Sequence, residues 1–477
     1  MIATALLVVP IVALFALAVR PLRSRATIVL VATGFATTAL AVAIAIAPAR
    51  ALFLGGHLRT DATSRLFLAV INPVFLGVSV YVWHRVVTTP ELRAGIARVV
   101  ALAAVFLAAC NAVLVSNHLI VMWMMLEVST LAAAPLIVRS GVPSSRLGSW
   151  RYFLFSSVGL ALVLLGFLCI GRGATLEGHA ASYFLDELAQ SPPATAGLWT
   201  QLGIAFVILG LGTKLGLAPM YSWLPEAYDE APPAITALLG SVQFNAALVL
   251  MLRVVQIYRP RAPSLILGEL VVMGLLSVAI STASIVATRN VKRLIAYTSI
   301  NHAGVIAIGL GIGRDATYGL FLYVISNAFI KVILFLTVGK IEAHYRTKDT
   351  REISGLLKNL PYSGVFLMVG TFALLGFPPF GSFFGELLIL SALVSSGQLV
   401  VFAAICALVT MSFVATGRTI FPMIWGEPRS STEGPRQTFL STAPKLVFLI
   451  ILLVLGVYIP SIVNDLIQQV AASVAGP

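Results

Sequence analysis

The sequence predicts an all-α, polytopic membrane protein of about 14 transmembrane helices, and three observations carry that expectation. Of its 477 residues, 59% are apolar and only 10% are charged, whereas soluble domains carry about 25% charged residues. Apolar runs near the ~20 residues that a spanning helix needs recur along the whole length. Gly and Pro clusters break two of these runs at matching places. That pattern points to two inverted five-helix repeats, each with a broken helix.

Taken in order, the first run covers 2–19 and meets its first charge at Arg20. A cleaved signal peptide carries its positive charge before the apolar stretch, so a retained span is expected. Further runs fall near 26–48, 65–87, 95–115, 117–138, 151–171, 201–220, 234–257, 265–287, 293–312, 316–341, 361–396, 399–421 and 441–461. The run at 361–396 is interrupted by Pro378 and Pro379. These spans group as N-terminal helices (1–90), a first repeat (91–260), a second repeat (261–426), and a loop with a last helix (427–477). Ser430 to Gln437 reads as a polar loop. His57, His84, His118, His179 and His344 read as loop or span-end residues.

The formal charge of +13 is a topology signal in such a chain. Alternating the loops between two faces collects most Arg and Lys on one of them. That face holds the clusters around Arg23, Arg93, Arg146, Arg293, Lys348 and Arg418, with Lys445 at its end. The positive-inside rule makes this face cytoplasmic and puts both termini outside. The other face carries fewer basic residues, Arg253 among them, and the long loop 172–200 with Glu177, Asp186 and Glu187. Cys110, Cys169 and Cys406 lie far apart in apolar runs, with no CxxC and no paired histidines. No metal site, iron–sulfur cluster or other cofactor is therefore expected in this chain, and no catalytic residue is assigned.

Four ionisable residues sit well inside spans: Glu127, Lys214, Lys331 and Glu386. Each costs roughly 2.5–3.5 kcal/mol to insert, so each asks for a reason. Lys214 stands in GLGTKLGLAPMYSWLPEAYDEAPP, where Gly216 and Pro219 break the helix. Backbone so interrupted at membrane depth survives beside protein or a water-filled cavity, where a lysine can change protonation state. The bland alternative is a kinked helix whose lysine snorkels. Glu127 lies in MWMMLEVST, too deep to reach an interface, and Lys214 is its expected partner. A proton-tuning pair and a static ion pair that locks two helices are both open. Tyr323, Asn327 and Lys331 are spaced by four and share a helix face, either as a relay or as helix–helix glue. Glu386, in GSFFGELLIL, has no near-sequence partner. His302, beside Thr298, Ser299 and Asn301, is either a relay member or a satisfied structural histidine.

The stretches GTKLGLAPMYSWLPEAYDEAPPAITALL, VKRLIAYTSINHAG, NAFIKVILFL and LGFPPFGSFFGE together resemble the Mrp-antiporter-like, proton-translocating membrane subunits. That family includes subunits of respiratory complex I and of membrane-bound group 4 hydrogenases. MWMMLEVSTLAAAPLIV and YRTKDTREISGLLKNLP look most like the hydrogenase 4 component F type. The resemblance implies proton-translocation roles for Glu127, Lys214, Lys331 and Glu386, with Glu386 on the exit side. It implies redox partner subunits, or alternatively sodium/proton antiport. Asn245 stands where many relatives carry a lysine, and Tyr323 and Asn327 where some carry histidines. Water or Ser241, Gln243 and Asn245 would then have to bridge Lys214 and Lys331. The long lateral helix of some relatives is not expected after the last span.

Overall fold

The computed structural model describes residues 2–47, 50–178, 182–190, 197–428 and 439–475. His179 and the polar loop Ser430 to Gln437 lie outside them. The spanning helices run α1 (Ile2–Ala16), α2 (Ala26–Ile46), α3 (Ala62–Thr88), α4 (Ile96–Val115), α5 (Leu119–Ile137) and α6 (Pro143–Leu176). Next come α7 (Leu198–Leu215) and the short α8 (Trp223–Glu230), then α9 (Pro233–Tyr258) and α10 (Pro263–Ala287). The chain continues through α11 (Val291–Ile312), α12 (Thr317–Tyr345), α13 (Pro361–Leu374), α14 (Gly381–Ser395), α15 (Leu399–Trp425), α16 (Phe439–Val457) and α17 (Ser461–Ala475).

Twelve helices among the described residues are long and apolar enough to cross a membrane alone. Adding α1, and counting the broken α13/α14 as one span, gives the fourteen expected. Three features were not foreseen. A small hairpin pairs Arg50–Phe53 with Leu58–Thr60. The break after Lys214 is followed by a separate helix, α8. A further helix of 15 residues, α17, follows the last span. It is amphipathic: Leu466, Ile467, Val470, Ala471 and Val474 are buried, a spacing that puts them on one stripe. Tyr318 donates to Asn464 (2.7 Å) and Gln256 to Ser473 (3.0 Å), so α17 covers the ends of α12 and α9.

Helices α6 and α7 pack backbone to backbone. A Cβ on Gly166 would lie 2.6 Å from the Gly203 carbonyl oxygen, and one on Gly210 would lie 2.4 Å from that of Gly159. Small residues permit such an approach where lipid removes the usual hydrophobic drive between helices. This contact fixes the depth of α7, and hence of Lys214, against α6.

Both breaks satisfy their freed backbone groups internally, as the bilayer requires. After Lys214 the chain turns at Gly216, whose φ of +77° favours glycine. Trp223 Nε1 then donates to the Thr213 carbonyl (2.9 Å), and the Ala218 amide donates to Ser277 Oγ on α10 (2.8 Å). At the second break Ser382 Oγ donates to the Ala373 carbonyl (2.7 Å).

The acidic α8 gathers the basic loops onto one face. Asp229 pairs with Lys348 (2.7 Å) and Arg293 (3.0 Å) and accepts from Asn290 (3.1 Å). Glu230 meets Arg139 at 3.7 Å, and Glu226 pairs with Arg151. Burial alone would raise the Asp229 carboxyl, but Lys348, Lys292 and Asn290 outweigh it and hold it below the usual range. On the opposite face Arg253 clamps Asp61, the N-cap of α3, at 2.5 and 2.7 Å. Here too burial opposes ionisation, and Arg253 with Arg59 and the Ser64 amide holds Asp61 well below the carboxylate range. Arg253, Lys292 and Lys445, counted above with the basic residues of the two faces, are buried. So is His84, near the end of α3.

Candidate functional site

The site grows out of Lys214, on the last turn of α7 just before the break. Its ammonium donates to Thr130 Oγ1 (2.5 Å) and to Tyr152 OH (3.3 Å) and lies 4.9 Å from the Tyr152 ring centroid. All three residues are buried. The expected contact pair with Glu127 is not made. Glu127 stands one turn before Thr130 on α5, and its Oε1 accepts from Ser157 Oγ (2.7 Å). Its Oε2 is buried and without a hydrogen-bond partner. The reason is local: side chains at i and i+3 share a helix face, and the shorter Thr130 is the one that lies opposite the ammonium.

From Lys214 the polar contacts run toward α9. Tyr152 OH donates to Gln243 Oε1 (2.7 Å), and Gln243 Nε2 donates to Ser129 Oγ (2.9 Å). Gln243 ends a π turn, Leu239–Gln243, inside α9. Such single-turn widenings re-aim side chains and are frequent at functional sites. Here the turn also brings α9 against Lys331: a Cβ on Gly240 would lie 3.5 Å from Lys331 Cδ. The Lys331 ammonium lies 4.2 Å from the ring centroid of Phe244, the residue after Gln243. The hydrogen bonds from Lys214 thus reach Gln243 by way of Tyr152, and the next residue, Phe244, packs its ring against the Lys331 ammonium.

The polar contacts differ in part from the sequence expectation. Gln243 continues them from Tyr152, whereas Asn245 turns back to the Ser241 carbonyl (2.6 Å) and Ser241 Oγ donates to the Ala328 carbonyl (2.7 Å). The Oδ1 atoms of Asn245 and Asn327 are both buried and unpartnered. Sequence reasoning misses Thr130 and Tyr152 as site residues and underweights Gln243. The available signal was a tyrosine, SWRYFLFSS, entering an otherwise apolar run.

Beyond Lys331, the Tyr323, Asn327 and Lys331 stripe of α12 divides between two neighbours. Tyr323 OH meets His302 Nδ1 on α11, and Lys331 faces α9. His302, Tyr323, Asn301, Glu386 and Ser412 line a cavity of about 20 Å³, room for one water. Glu386 tucks against the second break, where Gly376 has a φ of +66°. A Cβ there would lie 2.8 Å from Glu386 Oε2. The structure therefore places His302 and Glu386 on one cavity and turns Asn245 back onto its own helix. Among the described residues, no three His, Cys, Asp or Glu side chains cluster as metal ligands.

Fold and site define a class: a polytopic, antiporter-like membrane subunit with two broken helices and an axis of buried ionisable groups between them. Residues 116–412 match the family described as NADH:quinone oxidoreductase/Mrp antiporter, TM, and the chain belongs to that family. It is 32% identical to the Hydrogenase-4 component F homolog of Methylacidiphilum infernorum, over 75% of each chain. It is 26% identical to a Na(+)/H(+) antiporter subunit of Bacillus subtilis, over 78% of this chain and 74% of that one. It also superposes on a chain of the membrane-bound sulfane sulfur reductase, an archaeal respiratory membrane complex. That match has a TM-score of 0.87, covers 99% of this chain and 98% of the other, and has 22% identity.

Proposed function

We propose that this subunit moves protons across the membrane within a larger redox-driven assembly. A proton taken up on the basic face reaches Lys214, passes by Tyr152 and Gln243 to Lys331, and leaves through His302, Tyr323 and Glu386. The observation that carries this reading is the buried, hydrogen-bonded file Lys214–Tyr152–Gln243, next to which the Phe244 ring packs 4.2 Å from the Lys331 ammonium. Hydrogen-bonded groups of this kind inside a membrane mark ion pathways. Two five-helix units, 91–260 and 261–426, supply one broken helix each. Glu127, held off by Ser157, tunes Lys214 electrostatically. The relatives' names support redox partners of hydrogenase or quinone-reducing type. The basic loops gathered on one face support a cytoplasmic orientation for it. Both termini then lie outside, and a C-terminal reporter fusion found in the cytoplasm would overturn that orientation.

The test is proton uptake by the reconstituted complex, with subunit content measured on the same vesicles. Lys214→Met and Lys331→Met are each expected to abolish uptake while leaving assembly intact. Wild-type uptake in either variant would refute the route. The likeness to a Na(+)/H(+) antiporter subunit favours a second reading, sodium/proton exchange. Under that reading, removing sodium stops proton movement in the wild type; under ours it does not.

A further inference from the structure

At the basic-face ends of α3, α12 and α16 lies a cavity of about 340 Å³, apart from the Lys214–Glu386 axis. Its ionisable lining is basic throughout: His84 and Arg85 from α3, Lys340, His344 and Arg346 from the end of α12, and Lys445 from α16. No carboxylate lines it among the described residues. Elsewhere on the same face cations do have acids: Arg139 and Lys292 reach Glu342, Arg293 and Lys348 reach Asp229, and Arg351 reaches Asp349.

Two groups of the cavity are buried with no counter-ion among the described residues. Lys445 is 2% exposed. Its ammonium lies 4.8 Å from the Phe366 ring centroid and makes no hydrogen bond or ion pair among the described residues. His84 is 8% exposed and its Nδ1 has no partner among the described residues. Among the described residues the Arg85 guanidinium hydrogen-bonds to the Tyr81 hydroxyl alone, at 3.5 Å. Like charges round one cavity repel, and a buried cation is retained when something pairs with it. An arginine fork beside lysines matches the oxygens of a phosphate group.

We propose that this cavity is an anion site for a phosphate group, either a phospholipid headgroup or free inorganic phosphate. The flank of α16 next to Lys445 presents Leu446, Val447 and Ile450, 40%, 53% and 51% exposed. A lipid whose phosphate sat in the cavity would lay an acyl chain along them. Basic pockets between membrane helices bind anionic headgroups in this way.

The full chain, delipidated in a maltoside detergent, is titrated with inorganic phosphate, with phosphatidylglycerol and with diacylglycerol. Binding is read by native mass spectrometry and by the shift in unfolding temperature. Phosphate or phosphatidylglycerol is expected to bind at least tenfold more tightly than diacylglycerol. Lys445→Gln and Arg85→Gln are each expected to weaken that binding at least tenfold. Binding of phosphate itself identifies a free-anion site, and binding of phosphatidylglycerol alone identifies a headgroup site. If Lys445→Gln does not fold, Lys340→Gln and Arg346→Gln at the rim replace it with the same expectation. Phosphate and phosphatidylglycerol both binding no better than diacylglycerol, or binding undiminished to the variants, would overturn the proposal.

Discussion

Replacing Tyr152 by Phe removes one oxygen atom from the centre of the proposed route and leaves the ring in place. The ring keeps its edge contact with Trp223 (centroids 5.3 Å apart) and its position under Lys214. Lys214 keeps Thr130, and Gln243 keeps Ser129 through Nε2. The buried Gln243 Oε1 loses its donor, which costs about 1–3 kcal/mol. Against the roughly 5–15 kcal/mol of a typical domain this is survivable, so the variant should fold and assemble. Transport is more exposed to the change, because among the described residues the hydroxyl is the one group hydrogen-bonded directly to both the Lys214 ammonium and Gln243. An obligatory relay member lost should slow proton uptake at least tenfold, about 1.4 kcal/mol on the barrier. The assay is dye-reported proton uptake by vesicles containing the reconstituted complex. Gln243→Leu should give a similar loss, and the double variant no further loss, because the two act in series. Wild-type uptake in Tyr152→Phe with normal subunit content would refute the relay. Multiplying losses in the double variant would refute the series arrangement.

Glu127→Gln keeps an acceptor for Ser157 and removes only the charge, so it should lower uptake while leaving thermal stability within about 1 kcal/mol of wild type. A lost complex rescued by Lys214→Met would show a structural ion pair instead. Asn245→Leu should retain most uptake, since Asn245 bonds back to Ser241 on its own helix; a tenfold fall would put it on the route. Asp229→Asn should cost about 1.5–3 kcal/mol, read as a lowered unfolding temperature, by weakening charged hydrogen bonds to Lys348 and Arg293. Because the native Asp229 carboxyl is held below its usual value, its contribution is fully present above about pH 4 and is lost as pH falls through the native value. Hydrogen exchange at 288–293 and 346–352 should therefore rise on acidification in the wild type and stay flat in Asp229→Asn.

Span positions and both helix breaks were legible in the sequence because their causes are local. An apolar run declares its own burial, and Gly216, Pro219, Gly376 and Pro379 interrupt a helix whatever packs beside them. The placing of Glu127, Lys214, Lys331 and Glu386 inside spans followed from the same local logic. The amphipathic α17 was not legible, because Asn464, Asp465, Gln468 and Gln469 lower its hydropathy and its apolar stripe acquires meaning only against α3, α9 and α12. Nor was the burial of Arg253, Lys292 and Lys445, which sit at span ends and are enclosed by elements far away in the chain.

The sequence by itself determined that this chain crosses the membrane many times, where two of its helices break, and which ionisable groups lie inside. Only the tertiary structure decided which of those groups meet. Each residue turns a helix by about 100°, so a small rotation of α5 chooses between Glu127 and Thr130 for Lys214. The π turn in α9 likewise chooses Gln243 over Asn245 as the partner of Tyr152. Thr130, Tyr152 and Gln243 lie 84, 62 and 29 positions from Lys214, and no local pattern links residues so far apart. Their meeting depends on depth and rotation set by close glycine contacts such as Gly166 on Gly203, and those are properties of the packed helices.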